Sequence, residues 1–380
     1  MQTTQRATLA AALLVPLALL VALAVGEGAT RIAAVVSPRL ARQLAEYDLT
    51  RVLIVPNGEF GYRQKPNSAY RYRNGTVAHS NAMGFRGPPV EVPKPPGVFR
   101  IVLLGGSTTH GWAVDDSATI DAYIRQDLAA RYPGRRFDVV NLAFDGYDSY
   151  QDLERLRSDG LRMQPDLVIV NSGINDVRNA RFPDLQEHDS RTLLWAAEIA
   201  HLRKEQLTGA PSLWTRIKHW SLLARLPGMA RDRMNTMRQL GSATSERAHP
   251  EAAMLFERHL ERMADITGRR GIALVLSVPP SSLRSYPPRQ RSPGTSFWVV
   301  DAGTTQAYRD TLGAQMRRVA DSLTQRGRPT PLLRVELPRD RFMDDCHLTA
   351  EGNRELAEEF VSVAAAFIKQ SSRPLAESHR

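Results

Sequence analysis

At 380 residues, with 42% hydrophobic and 24% charged side chains, the chain has globular composition and enough length to bury one large core or two modest ones. Its formal net charge of +10 favours anionic surroundings without specifying a fold. Six of those ten charges fall between Arg203 and Arg238, which argues against a nucleic-acid surface spread over the chain, and a single cysteine, Cys346, excludes an intrachain disulfide framework.

Residues 1–30 read as a signal anchor or signal peptide. Ala7 to Val25 is an uncharged apolar run behind a short segment bearing Arg6; it is sufficient for a membrane span and long for the core of a cleaved signal. Pro16 is compatible with either. Arg31, Arg39 and Arg42 come after the run, so a literal positive-inside count would keep the body cytoplasmic. A lone N-terminal apolar segment most often delivers the body behind it across the membrane, and the expectation is a cell-envelope protein. Its body then lies in the periplasm or outside, either held at the inner membrane or exported after cleavage.

Residues 31–97 read as an extension of short strands and turns carrying Phe60, Tyr62, Tyr70, Tyr72 and Phe85, and ending in the Pro-rich stretch Val92-Pro-Lys-Pro-Pro-Gly97. From residue 98 to 370 strands alternate with helices. The strands are centred on Arg100–Leu104, Asp138–Leu142, Asp166–Val170, Ile272–Leu276 and Leu332–Leu337. The helices are expected near Ala118–Arg131, Tyr150–Met163, Glu251–Thr267, Thr304–Gln325 and Ala350–Lys369. Apolar strands separated by helices imply an α/β fold with a doubly wound, mainly parallel sheet covered on both faces. A polar tail, 371–380, closes the chain.

The alternation is interrupted at about 178–250 by an insertion that holds the basic cluster. Leu213, Ile217, Trp220 and Ala224 recur at helical spacing there in an apolar stripe that also holds Trp214, with Arg216, Lys218 and Arg225 around it. This is either a flap packed on the body or a helix that meets an anionic surface.

In a doubly wound sheet, ligands bind beyond the carboxyl ends of the strands. The turns after the first, second, third and fifth strands hold Gly105-Gly-Ser-Thr-Thr109, Asn141-Leu-Ala-Phe-Asp-Gly146, Ser172-Gly-Ile-Asn-Asp176 and Asp344-Asp-Cys-His347. Each alone has a structural reading, such as a tight turn or a helix cap. Together they gather the requirements of acyl transfer at one sheet edge. Ser107 is the candidate nucleophile, His347 the base and Asp344 the group that orients it. The oxyanion donors are the Ser107 and Gly146 backbones and the Asn175 side chain. A phosphate loop is disfavoured, because Gly111 is followed by Trp112 where a lysine is needed. Cys346 is the alternative nucleophile in the poorer turn. No histidine pair has helical metal-ligand spacing and there is one cysteine, so metal catalysis finds little support.

These blocks resemble the SGNH hydrolases, also called GDSL esterases and lipases, whose Ser, Gly, Asn and His fall in the order Ser107, Gly146, Asn175, His347. Gly173-x-Asn175-Asp176 and Asp344-x-x-His347 match closely. Gly106 replaces the Asp of Gly-Asp-Ser, and Ala143 stands where a glycine is common in the second block. Asn81-Ala-Met-Gly-Phe-Arg-Gly87 looks like a stretch preceding the domain in envelope-associated bacterial members. The resemblance implies a flavodoxin-like three-layer fold, hydrolysis of carboxylic esters through an acyl-enzyme, and no cofactor. The expected substrate is an O-acyl group on an envelope glycan or a lipid ester. The alternatives are O-acyl transfer to a polysaccharide and a non-catalytic glycan-binding scaffold. Partners are expected to be the ester substrate, the membrane through the N-terminal segment, and an anionic surface through residues 203–238, without nucleic acid.

Overall fold

The computed structural model describes residues 2–37, 40, 44, 53–72, 74–181, 187, 196–208, 213–230, 234, 249–290 and 301–371. They fall into two units, Met1–Val52 with Ala200–Ser242, and Leu53–Ile199 with Ala243–Arg380.

The second unit opens with two antiparallel pairs, β1 (Ile54–Asn57) with β2 (Gly61–Gln64) and β3 (Ala69–Arg71) with β4 (Val77–His79). Then come the five strands expected from the apolar runs: β5 (Val98–Gly105), β6 (Arg136–Asn141), β7 (Leu167–Asn171), β8 (Ala273–Val278) and β9 (Leu332–Arg334). All pair in parallel, in the order β6-β5-β7-β8-β9. Numbered along the chain, this is the flavodoxin-like order 2-1-3-4-5, with its switch point between β5 and β7.

The alternation of side chains along each strand divides the core in two. On one face Ile101, Leu103, Val139, Ile169 and Val275 meet α2 (Ile120–Arg131) and α7 (Ala350–Ser371), whose Leu356, Phe360 and Val361 are fully buried. On the other, Val102, Leu104, Val140, Val170 and Leu276 pack on α3 (Ser149–Arg155), α5 (Pro250–Gly268) and α6 (Ala302–Gln325). Three layers result. Helix starts obey the side chains: Thr119 caps α2, Asp148 and Gln151 form a capping box on α3, and Asp301 caps α6. The helix expected at 150–163 is less regular. After α3 it widens to a π-turn over Leu156–Gly160, tightens to 3-10 over Leu161–Met163, and stops at Gln164 in the left-handed region just before Pro165.

In the first unit, α1 (Gln2–Val36) contains the 23-residue stretch Leu14–Val36, long and apolar enough to cross a membrane. Glu27 on this helix accepts hydrogen bonds from Ser221 Oγ (2.7 Å) and from the Leu222 and Leu223 N–H groups (3.1 and 3.0 Å), and Arg31 donates to the Trp220 carbonyl at 3.0 Å.

The insertion departs from its sequence pattern. Helix α4 (Leu213–Trp220) ends at Trp220, and a separate 3-10 turn covers Leu223–Arg225, so Ala224 leaves the stripe. Leu213, Ile217 and Trp220 are exposed. Lys218 and Arg225, expected in a cluster that meets an anionic surface, are buried, with Arg225 donating to the carbonyls of Lys218 and Leu44. Arg203, Lys204 and Arg216 are exposed. Arg231, Arg233, Arg238, the Trp214 side chain and the tail beyond Ser371 lie outside the described residues.

Candidate active site

The site stands at the carboxyl ends of β5 and β7, at the switch point. Strand β5 ends in Gly105, at φ +151; a Cβ there would meet the Asn171 carbonyl and Thr109 Oγ1, each at 2.4 Å. Only glycine fits this turn. It leads through Gly106 into a one-turn helix, Ser107–His110, that starts with Ser107.

The turn is held from several sides. Asn141, at the end of β6, donates to the Thr109 carbonyl at 3.0 Å, and Asn171 donates to Thr109 Oγ1 at 3.0 Å. Fully buried Arg86, from the Asn81–Gly87 stretch, donates to the carbonyls of His110, Gly111 and Val114 and pairs with Asp116. Its guanidinium thereby satisfies the carbonyls that the short helix leaves open at its C-terminal end.

Ser107 Oγ lies 2.9 Å from His347 Nε2, and His347 Nδ1 lies 2.6 Å from Asp344 Oδ2. The other oxygen of Asp344 accepts from the backbone N–H groups of Cys346 and His347 at 2.9 and 2.8 Å, so the carboxylate is fixed by its own loop. Burial raises the Asp344 pKa, but the hydrogen bond and charge of His347, with the two N–H groups, outweigh it and hold the carboxyl down at about 2. For His347, burial opposes the charged form. The hydrogen bond and charge of Asp344 favour it, and the imidazole pKa is raised well above its ordinary value of about 6.5. Trp112 stacks over the ring with centroids 4.4 Å apart and planes tilted by 32°, which restricts its rotation.

Asn175, the first residue of the turn Asn175–Arg181 after β7, shares one narrow hollow with Ser107, Gly106 and Tyr147. Its Nδ2 donates to the Tyr147 carbonyl at 2.8 Å. Gly146 stands next to Tyr147 at φ +80, in a turn that glycine suits, but it does not wall that hollow; Tyr147 does. Ser107, His347, Asp344 and Asn175 are therefore brought together, with Gly146 one residue behind.

Cys346 is buried, its Sγ is 3.9 Å from His347 Nδ1, and burial pushes its thiol pKa up. A protonated, covered thiol is a poor nucleophile. Asp344, Cys346 and His347 could offer metal-ligand atoms within 4.8 Å of one another. Both ring nitrogens of His347 are nevertheless hydrogen-bonded, to Ser107 and Asp344, so a metal would have to break this relay.

Four residues beside the site have no catalytic part assigned to them in the sequence. Trp112 carried no motif beyond its place five residues after Ser107. His110 and Asp145, 3.1 Å apart and both buried, form a second histidine–carboxylate contact between the first two blocks. Asp176 accepts from the Ser149 N–H and hydroxyl; burial and nearby Asp148 raise its pKa to about 7. It secures the start of α3 beside the site.

The family model for GDSL-like lipase/acylhydrolases matches residues 103–355, from the end of β5 through the His347 loop. No curated protein sequence matches the chain. Similar solved structures include an alpha/beta hydrolase enzyme from the metagenome of Lake Arreo, Spain, at 17% identity, covering 71% of this chain and 96% of that one with a TM-score of 0.42. A lipase/acylhydrolase from Enterococcus faecalis has 17% identity, 70% and 96% coverage and a TM-score of 0.41. A catalytic mutant of an acetylxylan esterase from Geobacillus stearothermophilus has 15% identity, 70% and 93% coverage and a TM-score of 0.39. With more than half its length matched to the family model, the chain belongs to the GDSL-like lipase/acylhydrolase family and is an esterase-type acylhydrolase.

Proposed function

We propose that Ser107 is the nucleophile of a carboxylic-ester hydrolase in which His347 is the base and Asp344 orients it. Ser107 Oγ adds to the ester carbonyl while its proton passes to His347 Nε2, and Asp344 stabilises the imidazolium. The oxyanion is held by the backbone N–H groups of Ser107 and Gly146 and by Asn175 Nδ2. Collapse expels the alcohol with the proton from His347, and water repeats the sequence on the acyl-enzyme. The observation that carries this reading is the unbroken line of contacts from Ser107 Oγ through His347 to Asp344, at 2.9 and 2.6 Å.

The natural substrate in this proposal is an O-acyl group on a cell-envelope glycan or a lipid ester, as in the envelope-associated subgroup that the Gly-Gly-Ser-Thr block resembles. Support comes from the apolar α1 and from its polar junction with residues 220–223. The span-length stretch Leu14–Val36 runs past residue 25 without a break in the helix. Helix α1 is accordingly proposed to be a retained anchor, with the enzyme body on the envelope side. Turnover of a short-chain chromogenic ester by the detergent-solubilised full chain tests the chemistry. Ser107→Ala should lower kcat about 10⁴-fold or more, and unchanged turnover would remove Ser107 from its role.

A further inference from the structure

Beyond the carboxyl ends of β7 and β8 lie three hollows whose walls share residues, the two nearer Ser107 small, about 10 Å³ each. The hollow at Ser107 shares Ser172, Gly173 and Pro279 with a second one that reaches Arg309 on α6. The second shares Val278, Pro279 and Arg309 with a cleft of about 410 Å³. That cleft is walled by four arginines, Arg284, Arg309, Arg334 and Arg339, against two acids, Asp310 and Glu336.

Arg309 has an environment that the fold alone does not explain. Its side chain is 8% exposed, and it donates to the Pro279 carbonyl at 2.6 Å. Among the described residues no carboxylate lies within ion-pair distance of its guanidinium. Asp310, its chain neighbour, is gripped by Arg284 at 2.9 and 2.8 Å and approached by Arg334 at 3.8 Å. Burial lowers the Arg309 pKa, and Cys346, Asp345 and Asp310 offset this only in part. A guanidinium has five N–H donors, and burying its charge is costly unless an anion completes it. Arginine forks match planar oxyanions such as carboxylate or phosphate. Pro279, whose carbonyl Arg309 holds, also walls the hollow at Ser107.

We propose that Arg309 and the arginine-walled cleft bind an oxyanion, a carboxylate or a phosphate, carried by the ester substrate, so that the enzyme selects acyl esters of acidic molecules. This rests on Ser107 being the nucleophile, because the cleft matters to turnover only for an ester that reaches that residue past their shared wall at Pro279.

The test uses the full chain in detergent, a short-chain neutral chromogenic ester, and galacturonate, inorganic phosphate or galactose as competitor at constant ionic strength. Galacturonate or phosphate should raise the apparent KM while leaving kcat in place, at concentrations about tenfold or more below any at which galactose acts. Which anion does so distinguishes a carboxylate from a phosphate substrate. Arg309→Met should weaken that inhibition about tenfold or more, and Arg334→Gln at the exposed rim supplies a second variant if Arg309→Met does not fold. Equal inhibition by galactose, or inhibition unaltered in both variants, would overturn the proposal. Calorimetric titration of the parent with each anion separates the two readings. Anion binding without ester turnover would sink the role of Ser107 and leave the cleft standing, whereas turnover without anion binding or inhibition would do the reverse.

Discussion

Asn175 donates to the Tyr147 carbonyl at 2.8 Å, and glycine at 106 lets it come close to the nucleophile's turn, since a Cβ there would stand 2.5 Å from Nδ2. The absent Asp of the Gly-Asp-Ser pattern is thus replaced by space that the amide occupies. Asn175→Ala should lower kcat about 10²–10³-fold with a smaller effect on KM, as for one lost preorganised donor; steady-state kinetics on a short-chain ester decides it. The pH profile is set by His347. The ring must be neutral to accept the Ser107 proton, and its pKa is raised well above 6.5. Activity should therefore climb with pH, with its midpoint on the alkaline side of 6.5. Asp344→Asn should shift that midpoint toward lower pH and reduce kcat about 10⁴-fold. The stability terms have opposite senses. The raised His347 pKa stabilises the fold at low pH, and that contribution fades as pH climbs through the folded value. Depressed Asp344, at about 2, stabilises above the ordinary carboxylate pKa of about 3.9, and that contribution is lost as pH falls toward 2.

At the scale of elements, the strands and helices of the sheet domain were legible because hydrophobic periodicity specified them. Strands read at Arg100–Leu104, Asp166–Val170 and Ile272–Leu276 lie within a residue or two of β5, β7 and β8. Turn chemistry also marked which strand ends would carry Ser107, Asn175 and His347. Contacts between distant residues were not legible. Nothing local in the chain indicates that Arg86 would clamp the helix after Ser107, that Trp112 would stack on His347, or that Arg309 would be buried beside Pro279. The α4 stripe was misread for a related reason: spacing continued through Ala224, but the N–H groups after Trp220 turn to Glu27 and break the helix. Arg86→Met should destabilise the protein by roughly 3 kcal/mol, because three carbonyls lose their donor and Asp116 keeps only His79 as partner; a thermal midpoint unchanged from the parent would contradict this clamp. Within the described part of the basic cluster, Arg203, Lys204 and Arg216 are exposed. Replacing these three by Gln should weaken binding of the full chain to anionic vesicles, an effect that salt should mimic, while small-ester turnover is retained. Equal vesicle binding by parent and variant would reduce the cluster to a solvated face.

For the whole molecule, the order β6-β5-β7-β8-β9 places the first and third strands side by side, and it is this adjacency that sets Ser107 and Asn175 around one hollow. The loop after β9 then supplies His347 and Asp344, with His347 240 residues away from Ser107 along the chain. A relay assembled from such distant segments works only in the folded sheet, so the central claim is that Ser107 becomes acylated there. The most direct measurement is mass spectrometry of the full chain, acid-quenched during steady-state turnover of a short-chain ester and then digested. One acyl group should appear on the peptide containing Ser107, and it should be absent from the Ser107→Ala variant. An adduct on Cys346 instead, or turnover by Ser107→Ala at the parent rate, would contradict the account.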